Sequence, residues 1–227
     1  MHHPSAQVPR YARNDIPHTD AVTRTNLALL IAFACLFVWS LVRPHDYFTW
    51  LLESFPAIIG FVVLVATYRR FPLTPLAYTL LIIHASILIV GDHYTYAEVP
   101  LGFWMRDLLH TARNDYDRIG HFAQGFVPAI VAREILIRKK VVRSRGWVYF
   151  IVVCICLAIS AAYELLEWRV SVATGSKGDA FLGTQGDVWD TQEDMATALV
   201  AAIIAPLILG WLHDRQIARL ENRSSTR

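Results

Sequence analysis

The chain has 227 residues, of which 55% are hydrophobic and 18% are charged, and its formal net charge is +2. The mean hydropathy of +0.37 is typical of a polytopic membrane protein and argues against a soluble core. Because the net charge is small and the basic residues are interleaved with apolar runs, nucleic acid is excluded as a partner. The lipid bilayer is the partner that this composition predicts.

Six apolar stretches have about the length needed to cross a bilayer, and short polar connections separate them. They predict an all-α fold, a polytopic membrane helix bundle with six transmembrane helices. The second stretch contains Glu53 and Pro56. The fourth contains Arg133 and Glu134, which we expect to anchor the helix end or to snorkel. The predicted spans are 26–42, 50–68, 75–92, 119–137, 147–168 and 194–212.

The third connection contains a segment that separates into two faces if it is helical. From Leu101 onwards, Trp104 and Leu108 share an apolar face, whereas Arg106 and His110 share a polar face. This pattern predicts a short interfacial helix that lies on the membrane. An amphipathic helix that only packs over neighbouring helix ends is the alternative.

The charges of the connections predict the orientation of the chain. The two tails and the second and fourth connections together carry more than twice as many Lys and Arg residues as the other three connections. By the positive-inside rule, both termini are cytoplasmic. The predicted organisation is a cytoplasmic N-terminal tail (1–25), a single transmembrane domain (26–212) and a cytoplasmic C-terminal tail (213–227).

Three aspartates directly precede the last apolar stretch. Asp187, Asp190 and Asp194 stand at i, i+3 and i+7. On a helix, at about 100° per residue, their carboxylates would share an arc of roughly 60°. Like charges this close to lipid are unfavourable unless they are protonated, paired or bound to a cation. The run therefore predicts that other polar groups or a cation meet this face.

Further polar groups lie at the ends of other spans, and alternation of the spans places them on the same membrane face. His93 ends the third span, Asp117 and His121 begin the fourth at i and i+4, and Glu164 and Glu167 end the fifth one turn apart. By the orientation argument this is the outer, periplasmic face.

Imidazole and carboxylate groups in this arrangement predict a site for a divalent metal (zinc, manganese or magnesium), or for a proton or another cation. A metal-bound water beside a carboxylate base is a common hydrolytic arrangement. The alternative is a structural network of salt bridges with Arg113, Arg118 and Arg169. The candidate catalytic residues are Asp117, His121, Glu164, Glu167, Asp187 and Asp190. The candidate metal ligands are His93, Asp117, His121, Glu164, Glu167, Asp187, Asp190 and Asp194.

Four motifs between about residue 25 and residue 212 carry a resemblance to a known family. They lie at 91–96 (GDHYTY), 114–122 (NDYDRIGHF), 163–168 (YELLEW) and 182–192 (LGTQGDVWDTQ). With these motifs the chain resembles the YjdF-like family of bacterial inner-membrane proteins, a domain of unknown function. The resemblance implies an inner-membrane location and brings no established activity.

The second half is also similar, more loosely, to VanZ-like membrane proteins. The matching positions begin with Asp117 and His121 and end with the spaced aspartates before the last span. Arg118 stands where those proteins have lysine, and Glu167 where they have glutamine.

The leading hypothesis for function is an enzyme, a hydrolase or transferase, acting on an envelope lipid or lipid-linked substrate. A proton- or cation-coupled transporter that uses the same carboxylates, and a non-catalytic membrane factor, are the alternatives. A carrier requires a polar path past His84 towards the cytoplasm, which the apolar second halves of the spans do not supply. The sequence contains neither a Gly-x-Ser-x-Gly motif nor a P-loop, so the reaction class stays open.

Overall fold

The computed structural model describes residues 18–175, 181 and 183–225. These residues form seven α-helices and a short 3-10 helix, Tyr96–Glu98, and contain no β-strand. The all-α prediction is confirmed for this part of the chain. Residues 1–17, predicted as part of the N-terminal tail, lie outside it. The helices are α1 (His18–Ser40), α2 (Tyr47–Thr67), α3 (Pro75–Tyr94), α4 (Pro100–Leu109), α5 (Tyr116–Arg138), α6 (Arg145–Thr174) and α7 (Asp190–Ser225).

Each of the six predicted spans coincides with a helix, but the helices differ in hydropathy. Within the described residues, α2, α3, α6 and α7 are long and apolar enough to cross a membrane. Helix α1 contains a shorter apolar part, Leu30–Ser40, and α5 is interrupted by charged residues. Large apolar side chains such as Leu207 and Trp211 of α7 are mostly exposed, as expected for a surface that contacts lipid. The fold is a helical membrane bundle with four candidate spans.

Contacts between helix ends show that successive long helices run in opposite directions. Ser54, early in α2, donates a hydrogen bond to Asp92 Oδ2 near the end of α3 at 2.6 Å. Tyr116, at the start of α5, donates to the carbonyl oxygen of Ile87 at 2.8 Å. We call the end that contains the starts of α5 and α7 the acidic end, and the opposite end the Glu134 end.

The bundle is held together by the close approach of α5 and α7. A Cβ atom at Gly125 of α5 would lie 2.0 Å from the carbonyl oxygen of Ala198 in α7. Further along α7, Ala201, Ala202 and Ala205 are fully buried. Small residues at such positions let two membrane helices pack backbone against backbone.

Two connections of the acidic end are tied together by side-chain amides. The backbone N–H of Asn114 donates to Gln185 Oε1 at 2.9 Å, and Gln185 Nε2 donates to the carbonyl oxygen of Asn114 at 3.0 Å. Asn114 Nδ2 also donates to the carbonyl oxygen of Val99 at 2.9 Å. The α4–α5 connection therefore fixes the segment that precedes α7. The predicted short helix of the third connection is present as α4.

At the Glu134 end, a buried carboxylate joins three helices. Glu134 of α5 is 0% exposed, so of the two roles expected for it, it does not snorkel and instead anchors the helix end. It accepts hydrogen bonds from Thr74 N at 2.9 Å, Thr74 Oγ1 at 2.7 Å and Arg138 Nη1 at 2.7 Å, and lies 3.1 Å from His213 Nε2. Because His213 is buried in α7, helical packing continues past Leu212 into the segment predicted as the C-terminal tail.

Candidate functional site

His121 lies at the centre of a buried group of carboxylates at the acidic end. Its Nε2 atom is 3.5 Å from Asp117 Oδ1, 3.5 Å from Glu164 Oε1 and 4.0 Å from Asp194 Oδ2. Asp117 precedes His121 by one turn of α5, and Asp194 lies one turn into α7. Three helices therefore direct one carboxylate each towards a single imidazole nitrogen.

The hydrogen bond at Nδ1 of His121 determines what Nε2 can donate or accept. Nδ1 of His121 is 3.0 Å from Gln124 Oε1. An amide oxygen only accepts, so Nδ1 carries the proton of this hydrogen bond. Nε2 then presents either a lone pair or, in the imidazolium, a second proton. A lone pair among carboxylates is the donor set of a metal centre, in which the second ring nitrogen is normally held by such a hydrogen bond.

Two carboxylate oxygens of this group have unmet hydrogen-bonding capacity. Glu164 Oε1 and Asp194 Oδ1 are buried and have no hydrogen-bond partner among the described residues. A buried carboxylate oxygen without a partner is energetically costly, so it calls for a proton or a cation.

Three residues of the group could hold a metal ion if their side chains moved inward. Asp117, His121 and Asp194 each offer one ligand atom, and these three atoms lie within 4.8 Å of one another. Zinc with bonds of about 2.0–2.1 Å in tetrahedral geometry separates its ligand atoms by about 3.3 Å. The distances from His121 Nε2 to Asp117 and Asp194 are longer, 3.5 and 4.0 Å, so the side chains would have to close around an ion.

Arg113 divides the acids of this end into two sets. Its guanidinium is buried and hydrogen-bonds to Asp190, and its Nη1 and Nη2 lie 3.6 Å from Asp187 Oδ2 and Asp117 Oδ2. Burial alone would lower the pKa of Arg113, but the adjacent Asp190 and Asp117 outweigh it and raise that pKa. The guanidinium therefore stays charged and neutralises the start of α7.

Arg118 pairs with the more exposed acids at the mouth of the site. It hydrogen-bonds to Glu193, and its Nη2 lies 3.4 Å from Asp187 Oδ2. Its Nε lies 3.5 Å from Asp115 Oδ1. Salt bridges to Arg113 and Arg118 thus exist at the mouth, whereas Arg169 is exposed.

Two of the predicted ligands lie away from the imidazole. Helix α7 begins at Asp190, so the predicted helical face that includes Asp187 is wrong. Asp187 precedes the helix, and its Oδ1 accepts from the backbone N–H of Trp189 at 2.9 Å. His93 faces α1, where its Nδ1 lies 3.3 Å from the carbonyl oxygen of Ser40.

The remaining predicted residues lie in or beside the group. Glu167 is buried on α6, one turn beyond Glu164, and interacts electrostatically with Asp117 and Glu164. Asp190 is buried but is bonded to Arg113. The structure therefore brings Asp117, His121, Glu164, Glu167 and Asp194 together and leaves His93 and Asp187 outside.

Sequence reasoning left two buried acids out of the candidate site. Glu53 of α2 and Asp92 of α3 are both buried at the acidic end. The available signal was the presence of an acid inside an otherwise apolar span, which by itself favours a functional role. Their mutual position depends on how α2 packs against α3, which spacing along the chain does not reveal.

A cavity of about 830 Å³ opens at the acidic end, and none of the five residues gathered around His121 lines it. One wall is apolar and includes Met105 and Leu109 of α4 with Ile119 and Phe122 of α5. The other wall carries charged residues, among them Arg113, Arg118 and Asp187. An elongated molecule with a polar and an apolar part would find both kinds of surface here.

A helical membrane bundle with buried acids at one end is thus the class of protein that the fold defines. Residues 25–215 match the family described as "Predicted membrane protein (DUF2238)", and the chain belongs to that family. It is 50% identical to the inner membrane protein YjdF of Escherichia coli (strain K12) over 203 residues, which cover 87% of this chain and 97% of that protein. The YjdF-like resemblance is confirmed.

No solved structure matches the chain. The comparisons support neither the looser VanZ-like similarity nor the predicted metal binding. The family description names a membrane location and no activity.

Proposed function

We propose that this protein is a metal-dependent enzyme of the bacterial inner membrane, a hydrolase or transferase that acts on an envelope lipid or lipid-linked substrate. The observation that carries the proposal is the convergence of Asp117, Asp194 and Glu164 on His121 Nε2. Zinc or manganese suits this mixed nitrogen and oxygen donor set better than magnesium, which prefers oxygen ligands.

The roles of the residues follow from their positions. Asp117, His121 and Asp194 would hold the ion and leave a coordination position free, as in catalytic zinc sites. A bound ion would activate a water or polarise a carbonyl or phosphoryl oxygen. Glu164, with its unpartnered Oε1, is the candidate base that accepts a proton from the attacking group. Gln124 holds the imidazole in the orientation that this arrangement needs.

The membrane arrangement that we propose has six spans, with both termini in the cytoplasm and the acidic end in the periplasm. The distribution of Lys and Arg supports this orientation. We include α5 as a span despite its charges because it packs against α3, α6 and α7, and because both oxygens of its Glu134 are hydrogen-bonded within the protein. The proposed transmembrane domain covers 26–212, flanked by cytoplasmic tails at 1–25 and 213–227.

The lipid substrate is supported by the cavity of the acidic end, since its lining residue Arg113 lies 3.6 Å from Asp117 of the group. Its apolar wall on α4 and α5 would accommodate a hydrocarbon chain, and Arg118 lies where a polar head would reach the acids. Trp104 and Leu108 of α4 are largely exposed, as expected for a helix lying in the outer leaflet.

Metal analysis of the detergent-purified protein tests this function. We expect near-stoichiometric zinc or manganese in the wild type and its loss in Asp194→Asn and His121→Asn. Asp187→Asn is the matched control, since Asp187 lies outside the group and its loss should leave the metal content unchanged. Equal metal content in all four proteins, or none in the wild type, would overturn the proposal.

A proton- or cation-coupled carrier is the second candidate, because one residue extends the polar interior. The Nε2 atom of His84 in α3 is buried and has no hydrogen-bond partner within the described residues, and His84 interacts electrostatically with His121. Proteoliposomes loaded with a pH-sensitive dye would distinguish the two functions. A carrier predicts proton movement that is lost in His84→Ala, whereas an enzyme predicts none.

A further inference from the structure

A second set of unpartnered polar atoms lies at the acidic end, on helices that do not contribute to the His121 group. Glu53 Oε2, Asp92 Oδ1 and Thr95 Oγ1 have no hydrogen-bond partner among the described residues. The three residues are only 3%, 1% and 3% exposed. Bulk water therefore does not solvate these oxygens, and each would be costly if nothing met it.

Local contacts bring the three residues together. Ser54 of α2 donates to Asp92 Oδ2 at 2.6 Å, which joins this turn of α2 to the end of α3. Glu53 is the neighbour of Ser54, and the backbone N–H of Tyr96, directly after Thr95, faces its carboxylate. Glu53 interacts electrostatically with Asp92 and, to a smaller extent, with Asp117 of the His121 group. Two carboxylates and a hydroxyl thus lie buried in the same region, between α2 and the end of α3.

The segment that supplies the hydroxyl is held rigidly. Thr95 has a φ of 68°, which is unfavourable for a β-branched residue. The ring of Tyr96 fixes it, because a Cβ at Gly91 would lie only 2.4 Å from Tyr96 Cε2. The ring also packs edge-on against Tyr116 of α5, with centroids 5.7 Å apart.

The acids of this second set differ from those at the mouth of the His121 site in their ion-pair partners. Arg113 and Arg118 form their ion pairs with acids at the starts of α5 and α7. Glu53 and Asp92 instead have no ion-pair partner among the described residues, and two buried like charges that interact repel each other. A cation or shared protons can relieve that repulsion, and the oxygen-only donor set is the one that hard divalent cations prefer.

We propose that Glu53, Asp92 and Thr95 form a second cation site, for a hard divalent ion such as Mg²⁺ or Ca²⁺, separate from the His121 group. The site links α2 and the end of α3, and through Tyr96 it reaches the start of α5. It does not depend on the proposed enzymatic function, since a carrier or a structural protein could contain it equally well.

The test is thermal unfolding of the detergent-purified protein after chelation, with Mg²⁺ or Ca²⁺ then added back. At about a hundredfold excess over Kd, we expect the wild-type Tm to rise by roughly 5–10 °C. Glu53→Gln should lose this rise. Glu98→Gln, at an exposed acid of the same segment, should retain it. The zinc or manganese content of Glu53→Gln should stay at the wild-type level, which separates this site from the His121 group.

Glutamine also mimics a protonated carboxyl, so the same variant tests the alternative. If the wild type shows no response to either ion and Glu53→Gln is as stable as the wild type, the acids share protons and the cation site is overturned. Should Glu53→Gln fail to fold, Thr95→Val removes only the hydroxyl, and Thr95→Ser restores it. Cation affinity must then fall at least several-fold in Thr95→Val and recover in Thr95→Ser, and an unchanged affinity in Thr95→Val overturns the proposal.

Discussion

Buried acids lie at both ends of the helix bundle, but their hydrogen-bonding capacity is filled to different extents. At the Glu134 end, a carboxylate receives donors from Thr74 and Arg138 and contacts His213, and both of its oxygens are used. At the acidic end, Glu164 and Asp194 each retain an oxygen without a hydrogen-bond partner in the part of the chain that the structure describes. A saturated buried carboxylate joins helices, whereas an unsaturated one marks a place where the protein is incomplete without a proton or a ligand.

The two ends differ in how their arginine side chains are paired with the acids. Arg138 is one turn from Glu134 and bonds to it directly. At the acidic end, Arg113 and Arg118 form hydrogen-bonded ion pairs with Asp190 and Glu193. Of the carboxylates around His121, Asp117 also has Arg113 at 3.6 Å, whereas Glu164 and Asp194 have only the imidazole within ion-pair distance among the described residues. Acids therefore outnumber bases at that end.

The largest expected effect on stability comes from Glu134→Gln, which removes the fully hydrogen-bonded carboxylate of the Glu134 end. We expect it to reduce the free energy of unfolding by about 3 kcal/mol, since it leaves half-buried Arg138 without its counter-charge and buried His213 without its carboxylate partner. Chemical denaturation of the detergent-purified protein measures this change. A loss below about 1 kcal/mol, the range of an exposed pair, would show that the network contributes little.

The close α5–α7 packing connects the two ends, and Gly125→Ala tests it. The added methyl group would collide with the backbone of Ala198, so we expect a loss of about 1–3 kcal/mol from overpacking. Gly60→Ala of α2 is the matched control, because a Cβ there meets nothing within 4 Å. Denaturation midpoints should fall for Gly125→Ala and hold or rise for Gly60→Ala.

The same Glu-to-Gln substitution at the acidic end should act with the opposite sign. In metal-free protein, we expect Glu164→Gln to raise the free energy of unfolding by about 1 kcal/mol, because it removes an uncompensated buried charge. The pair Glu134→Gln and Glu164→Gln is measured under identical denaturing conditions after chelation. Destabilisation by both variants would mean that both ends are structural networks.

The smallest expected effect concerns the N-cap of α2, outside the spans. Asp46 accepts from the backbone N–H of Thr49 at 2.7 Å, and that bond lowers the pKa of Asp46 below its usual 3.8. Asp46→Ala should cost about 0.5–1 kcal/mol at neutral pH, whereas Asp46→Asn keeps the cap.

The sign of the pH dependence follows from the lowered pKa. The stabilisation by ionised Asp46 is present above its unfolded-state pKa and is lost as pH falls through the lower folded-state pKa. The stability difference between wild type and Asp46→Ala should therefore narrow only below about pH 4. A difference that already narrows between pH 7 and 5 would contradict this cause.

Local sequence patterns predicted the residues that share a helix but not those that meet across helices. Asp117 and His121 lie on one face because four residues complete about one turn, and α5 places them as expected. The prediction that Asp187 shares the helical face was wrong, because its carboxylate accepts a hydrogen bond from the nearby Trp189 N–H. Aspartate readily forms such local bonds in place of a helical turn. His93 was expected in the site, yet the packing of α1 against α3 directs it towards Ser40.

The sequence by itself determined the class of protein, the helices and the end of the bundle where its acids gather, because hydropathy and helical period are properties of neighbouring residues. Only the tertiary structure decided which acids are saturated and which are not. Glu134, expected to anchor the helix end or to snorkel, has all its hydrogen bonds filled by other helices and its own, whereas Glu53 and Asp92 each keep an oxygen without a partner among the described residues. That outcome depends on the donors that other helices bring within hydrogen-bond distance, and no spacing along one helix specifies them.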